Sequence, residues 1–200
     1  VHFFMIYMFF MIITKFYSPN FSNKARSSKK ITSIIIHYTG MQSERESLKR
    51  LVYLKSKVSC HYLISRSGKI FRIVKDHHIA WHAGKSMWGK YKNLNKNSIG
   101  IELVNKGHKY GYQSFTKIQI KKLISLCKSL KRKYRIKNKL ILGHSDIAPL
   151  RKIDPGEKFP WHYLSSKKIG FYPTIKKERN RSKKKQNIRE FFKNLQNIGY

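Results

Sequence analysis

Ser33-Ile34-Ile35-Ile36-His37-Tyr38-Thr39-Gly40 is the stretch from which the fold can be read. Three consecutive β-branched residues make an unbroken apolar run of the kind used by strands covered on both faces. The run closes on a histidine and a glycine-containing turn, and the ends of such strands are where chemistry is often placed.

Downstream, Ser43 followed by Glu46 makes a capping box, and Leu48, Leu51 and Val52 continue at helical spacing, which predicts a first helix. His61 to Ser65 and Lys69 to Val74 flank Ser67-Gly68 and read as a hairpin. Ser98 to Val104 reads as a second buried strand. Thr116 can cap a second helix with Ile120, Leu123, Ile124, Cys127 and Leu130 on one face and lysines toward solvent. Leu140 to Leu142 gives a short strand before Gly143-His144. Pro149, Pro155, Gly156 and Pro160 then forbid long elements, which predicts an ordered loop. Strands interleaved with helices place the chain in the α/β class.

A chain of 200 residues accommodates one domain with short appendages. Residues 1 to 13 are almost wholly apolar, whereas Thr14 to Lys30 turns polar and basic. At about 13 residues the run is shorter than the ~20 that span a bilayer, and closer to the apolar core of an export signal. Residues 1–30 are therefore expected to be a signal or anchor plus a basic linker, with the folded domain at 31–175. The expected location is the periplasm or cell envelope, with the cytoplasm as the alternative, and membrane association would run through this N-terminal segment. No Lys or Arg precedes the run and no clear small-residue cleavage site follows, so an uncleaved anchor or a different start fits the residues as well. Within residues 176–200, Lys176 to Lys185 reads as a basic linker and Ile188 to Leu195 as a short helix, and Ile188 to Tyr200, ending Asn194-Leu195-Gln196-Asn197-Ile198-Gly199-Tyr200, resembles the opening helix of a small peptidoglycan-binding module.

The balance of 44 Lys+Arg against 9 Asp+Glu gives a formal charge of +35, which attracts polyanions. A chain rich in Lys, Ile and Asn is also what adenine- and thymine-rich coding sequence produces. With no helix-turn-helix, zinc-finger or aromatic RNA-binding motif, no specific nucleic-acid partner is expected. The two cysteines, Cys60 and Cys127, lack CxxC spacing and suggest neither a thiolate metal cage nor a disulfide framework. The HExxH motif of helical zinc proteases is absent as well.

His37 closing one strand, His144 following another and Asp154 in a Pro-Gly loop stand out from their surroundings. Two imidazoles and a carboxylate suit a catalytic zinc with one position left for water. From spacing alone a strand-end histidine is more often a packed, hydrogen-bonded residue. More specific are six stretches taken together: Ile34-Ile35-Ile36-His37-Tyr38-Thr39, Ser59-Cys60-His61-Tyr62-Leu63-Ile64, Ala80-Trp81-His82-Ala83-Gly84, Ser98-Ile99-Gly100-Ile101-Glu102-Leu103, Gly143-His144-Ser145-Asp146-Ile147-Ala148-Pro149 and Lys152-Ile153-Asp154-Pro155-Gly156. In this order they resemble the zinc-dependent N-acetylmuramoyl-L-alanine amidases, relatives of the peptidoglycan recognition proteins.

The resemblance implies a mixed central β-sheet flanked by helices and Zn2+ held by His37, His144 and Asp154. It also implies a groove for a glycan-peptide substrate, peptidoglycan or a muropeptide. Alternation along the strand sends Gly100 and Glu102 to the face opposite Ile99, Ile101 and Leu103, and the resemblance implies that Glu102 is the general base. Lys152 is the candidate for stabilising the oxyanion. Trp81 and His82 are expected in the groove wall, one as an aromatic plane and the other as a donor, and Asn97 and Asn105 beside it. His61 is expected to be structural. The implied activity is hydrolysis of the amide between N-acetylmuramic acid and L-alanine by a monomer. The competing reading is a peptidoglycan-binding protein without catalysis.

Overall fold

The structure is a computed structural model that describes residues 11–173 together with 192, 193, 195 and 196. Its centre is a six-stranded sheet. In chain order the strands are β1 (Ile12–Ile13), β3 (Ser33–Tyr38), β4 (Tyr62–Ile64), β5 (Ile70–Arg72), β9 (Ser98–Leu103) and β10 (Ile141–Gly143). In space they run β1-β5-β4-β9-β3-β10. All neighbours are parallel except β4 and β5, which form the expected hairpin with Leu63 opposite Phe71. The mixed α/β sheet inferred from the sequence is therefore present. Outside it, β2 (Phe21–Ser22) pairs with β6 (Ile79–Ala80), and β7 (Met87–Trp88) pairs with β8 (Tyr91–Lys92).

Because successive strand residues point to opposite faces, Ile34 and Ile36 of β3 join Ile99, Ile101 and Leu103 of β9 on one side of the sheet. The long helix α2 (Lys117–Tyr134) covers that side with the predicted Ile120, Leu123, Ile124, Cys127 and Leu130. Thr116 caps it, its hydroxyl accepting from Gln119 N. The opposite face carries Ile35, which packs with Leu142 and Ile147, and in the same alternation His37 and Glu102. Helix α1 (Glu44–Val52) starts at Ser43, whose side chain accepts from Glu46 N.

The expected boundary at residue 30 is corrected. Residues 11–30 are built into the domain: β1 extends the main sheet beside β5, and β2 lies on β6. Ser18, Asn20 and Arg26 are buried. Asn20 Nδ2 donates to the carbonyls of Tyr53 and Val58 and to Ser56 Oγ, and Arg26 donates to the carbonyls of Asp76 and Asn95. A stretch that looks like polar linker is polar because its side chains take up buried carbonyls of the domain. Residues 1–10 and the expected linker over 176–185 lie outside the described residues, as does most of the expected terminal helix. No helix among the described residues is long and apolar enough to cross a membrane.

Candidate metal centre and groove

Parallel pairing of β3 with β10 sets Gly143 beside Ile36. The next residue on each chain, His37 and His144, therefore emerges at the same sheet edge. His144 begins the short helix α3 (His144–Ile147), and the following loop returns Asp154 to the pair, pinned where Ser145 N donates to Asp154 O at 2.8 Å. His37 Nδ1, His144 Nδ1 and Asp154 Oδ2 form a triangle with sides of 3.0, 3.0 and 3.1 Å, and all three residues are buried. Ligand atoms bonded at ~2.0–2.1 Å to a tetrahedral ion lie about 3.3 Å apart, so a small cation fits above this triangle with one coordination position facing the groove.

The hydrogen-bond partners fix the tautomers that metal binding requires. His144 Nε2 donates to Ala83 O at 3.1 Å. His37 Nε2 donates to His82 Nδ1 at 3.0 Å, His82 Nε2 donates to Ser98 Oγ at 3.2 Å, and Ser98 Oγ donates to Leu94 O. Each ligand imidazole thus keeps its proton on Nε2 and presents a bare Nδ1 beside a carboxylate oxygen. Three lone pairs converging in a buried space repel one another unless a cation lies between them. Burial, with His144 close by, brings the His37 pKa down to about 4, so its ring is neutral at pH 7. Burial raises the proton affinity of Asp154, and positive charge at the two Nδ1 positions, brought by a ring proton or by a bound cation, holds the carboxyl below its ordinary range.

Above the triangle opens a groove of about 400 Å³ whose lining includes Tyr38, Arg50, Trp81, Glu102 and Lys152. Glu102 is the cross-strand neighbour of His37. Its Oε2 is buried with no hydrogen-bond partner among the described residues. Burial first, then the charge of Asp154, pushes its pKa up to about 8, against the pull of Lys152. A carboxyl with raised proton affinity beside a metal triad can exchange a proton with a molecule in the groove. Trp81 is held at the rim by its Nε1 donating to Ser22 Oγ at 3.2 Å.

Three expectations need correction. His82 borders the groove, but both of its ring nitrogens are committed to His37 and Ser98, so it braces a ligand instead of offering the substrate a donor. Asn97 sits at the far end of β9, where its carbonyl accepts from Thr32 N and Ser33 N. Five residues at ~3.3 Å each separate it from Glu102. Asn105 is buried and organises its own loop, donating to Gln113 O and accepting from Gly107 N. His61 is structural as expected, its Nδ1 accepting from Gly100 N.

Sequence reading missed Asn95, whose Oδ1 accepts from His82 N and Ala83 N and so sets the Trp81-His82-Ala83 loop. It also missed Arg151, which donates to Ala83 O and Lys85 O. Gly100 could have been found: a glycine inside a strand marks a close approach, and here a Cβ would stand 2.7 Å from His82 Nδ1.

A profile of the N-acetylmuramoyl-L-alanine amidase family matches residues 27–157. The chain belongs to this family. Among its relatives, the amidase AmiD of Escherichia coli (strain K12) is 40% identical over 157 residues, 72% of this chain and 55% of AmiD. The chain thus spans little more than half the length of that relative. The 1,6-anhydro-N-acetylmuramyl-L-alanine amidase AmpD of Haemophilus influenzae is 34% identical over 170 residues, 76% of this chain and 90% of AmpD. In three dimensions the chain is similar to AmiD from E. coli solved with the substrate anhydro-N-acetylmuramic acid-L-Ala-D-γ-Glu-L-Lys. The TM-score is 0.74 at 32% identity, covering 90% of this chain and 74% of that one. Three of the amidase motifs set His37, Glu102 and His144 at or just beyond the C-terminal ends of the adjacent parallel strands β3, β9 and β10, and loops bring in Trp81, Lys152 and Asp154.

Proposed function

We propose that the protein is a zinc-dependent hydrolase that cuts the amide between N-acetylmuramic acid and L-alanine in peptidoglycan or its soluble muropeptides. The observation that carries this reading is the pairing of the His37, His144 and Asp154 triangle with the unpartnered Glu102 carboxyl in one groove. Two imidazole nitrogens and one carboxylate oxygen favour zinc over magnesium or calcium, which prefer all-oxygen shells. Zinc, when bound, supplies Lewis acidity toward a carbonyl and toward water.

The chain's own residues do the rest. In its ionised form Glu102 accepts the proton of the attacking water and returns it to the departing amine nitrogen, which leaves poorly without it. Lys152, close enough to influence both Glu102 and His37, supplies positive charge toward the carbonyl oxygen as it becomes anionic. Trp81 offers a flat apolar wall to the sugar or peptide. AmiD and AmpD, which act on N-acetylmuramyl-L-alanine amides, support the substrate class.

The test is mass spectrometry of products from intact sacculi and, separately, soluble anhydro-muropeptides, with and without a chelator. The expected products are peptides with a free L-alanine amine, abolished by chelation and restored by zinc. Peptides still attached to muramic acid, or cleavage indifferent to the chelator, would refute the reading. We also propose an envelope location on the strength of the apolar run ahead of β1. A C-terminal reporter should then be active outside the cytosol, whereas purely cytosolic activity would favour the soluble muropeptides.

A further inference from the structure

The groove holds three cations besides its proton-transfer residues: Arg50, Arg151 and Lys152. One is already bonded to backbone carbonyls and one is assigned to the reacting carbonyl. Arg151 Nη2 donates to Ala83 O at 2.8 Å and Lys85 O at 2.6 Å. Lys152 stands by the scissile centre. Arg50 is different. It extends from α1 on the same helical stripe as Ser47 and Leu51, which also line the groove. Glu46, one turn earlier and its natural helical partner, turns its carboxylate to Gln42 N at 3.2 Å instead. Among the described residues Arg50 has no ion pair and no hydrogen bond.

A guanidinium that lines the groove without a protein partner is free to meet an anion of the substrate, and the proposed substrate class carries one at a defined place. In a stem that continues through γ-linked D-glutamate, as in the compound bound to AmiD, the side-chain carboxyl forms the next amide. The α-carboxylate is left free. It lies on the second residue beyond the scissile bond, about 7 Å away at ~3.3–3.6 Å per residue. A guanidinium matches a carboxylate bidentately, and one donated from a helix flanking the metal centre can meet that group while the scissile amide lies over the triangle. We infer that Arg50 is a specificity-determining residue that recognises the free α-carboxylate of the γ-linked glutamate. It thereby discriminates against stems in which that carboxylate is amidated. The inference rests on the hydrolytic reading given above.

The experiment is a charge cycle on the zinc-loaded full chain. Two synthetic muropeptides, identical but for an α-carboxylate or an α-carboxamide on the γ-linked residue, are compared with wild type, Arg50→Gln, Arg50→Lys and Lys49→Gln. Wild type is expected to prefer the carboxylate at least tenfold in kcat/KM, chiefly through KM. Arg50→Gln should erase most of that preference, losing at least tenfold more on the carboxylate than on the amide. Arg50→Lys should restore part of it, and Lys49→Gln, a neighbouring surface charge, should keep the wild-type preference. Position 50 is exposed, and circular dichroism checks that the variants fold. Equal losses on both substrates, or a preference that survives Arg50→Gln, would overturn the assignment while leaving the hydrolase intact. Failure of wild type on both compounds would bring down the hydrolytic reading and this inference with it.

Discussion

At the scale of single residues, Glu102 and Gly100 make the sharpest tests. Glu102→Gln preserves shape and removes the proton acceptor. Zinc content and folding should persist while turnover falls by ~10²–10⁴, the usual worth of general acid-base help. Near-normal turnover would exclude Glu102 as the base. Its titration gives the sign of the pH effects. The base works ionised, so wild-type activity should rise with pH through its pKa, which the cation lowers from the value of about 8 set by burial. In the metal-free protein the folded pKa stands above the ordinary 4.5, so the folded state binds the extra proton and stability falls as pH rises from about 4.5 to 8. Metal-free Glu102→Gln should lose that slope in denaturant titrations at several pH values. Gly100→Ala tests the brace behind the metal, because the added methyl overlaps the His82 ring that orients His37. Zinc affinity should drop about 10–100-fold, as for other partners of metal ligands. Competition against a chromogenic chelator measures it, and unchanged affinity would mean that His82 is not needed to orient His37. The meeting of His37, His144, Asp154 and Glu102 in one groove was legible because the order of the amidase-like motifs and the alternation along β9 point to it. Asn97 and Asn105 were misplaced because proximity in sequence to Glu102 says nothing about which end of the strand faces the groove.

At the scale of elements, both helices, the hairpin and the central strands could be read from periodicity, capping residues and the Ser67-Gly68 turn. Residues 11–30 could not. Their strands are two residues long and pair with partners far along the chain, β1 with β5 and β2 with β6, so no local pattern announces them. They are held by apolar packing, with Ile13, Phe16 and Phe21 against the cluster of Leu48, Leu63 and Phe71, and by buried polar side chains. Replacing Arg26 by Met leaves the carbonyls of Asp76 and Asn95 without their donor in a buried setting. Each orphaned group costs about 1–3 kcal/mol, so the midpoint of thermal unfolding should fall by several degrees or more. A chain begun at residue 31, which the composition boundary suggested as the start of the domain, should fare worse: it also loses Asn20 and the Ser22 hydroxyl that holds Trp81. Calorimetry of the two variants decides the matter, and a chain begun at residue 31 that melts like the full one would show this segment to be dispensable.

At the scale of the whole molecule, part of the charge of +35 lies on a face away from the metal groove. Helix α2 covers the sheet face opposite His37 and Glu102, and its outer side exposes Lys121, Lys128 and Arg132. Adhesion to an anionic polymer and hydrolysis can therefore be separated by mutation and by salt. Between 0.1 M and 1 M salt the Debye length shrinks from ~10 Å to ~3 Å, which screens exposed lysines far more than groups buried in the groove. Retention on intact sacculi should thus collapse with rising salt, while hydrolysis of a small uncharged muropeptide analogue should change little. Lys121→Gln, Lys128→Gln and Arg132→Gln combined should shift the retention curve to lower salt and leave turnover of the small analogue as in wild type. Glu102→Gln should do the reverse, binding sacculi normally without cutting them. Duplex DNA should compete only as a nonspecific polyanion, with the same salt dependence and no preference for sequence. If the triple variant bound sacculi as wild type does, the basic face would play no part in wall adhesion. If Glu102→Gln bound DNA tightly and sequence-selectively while ignoring sacculi, the charge would serve a nucleic-acid partner and not the wall.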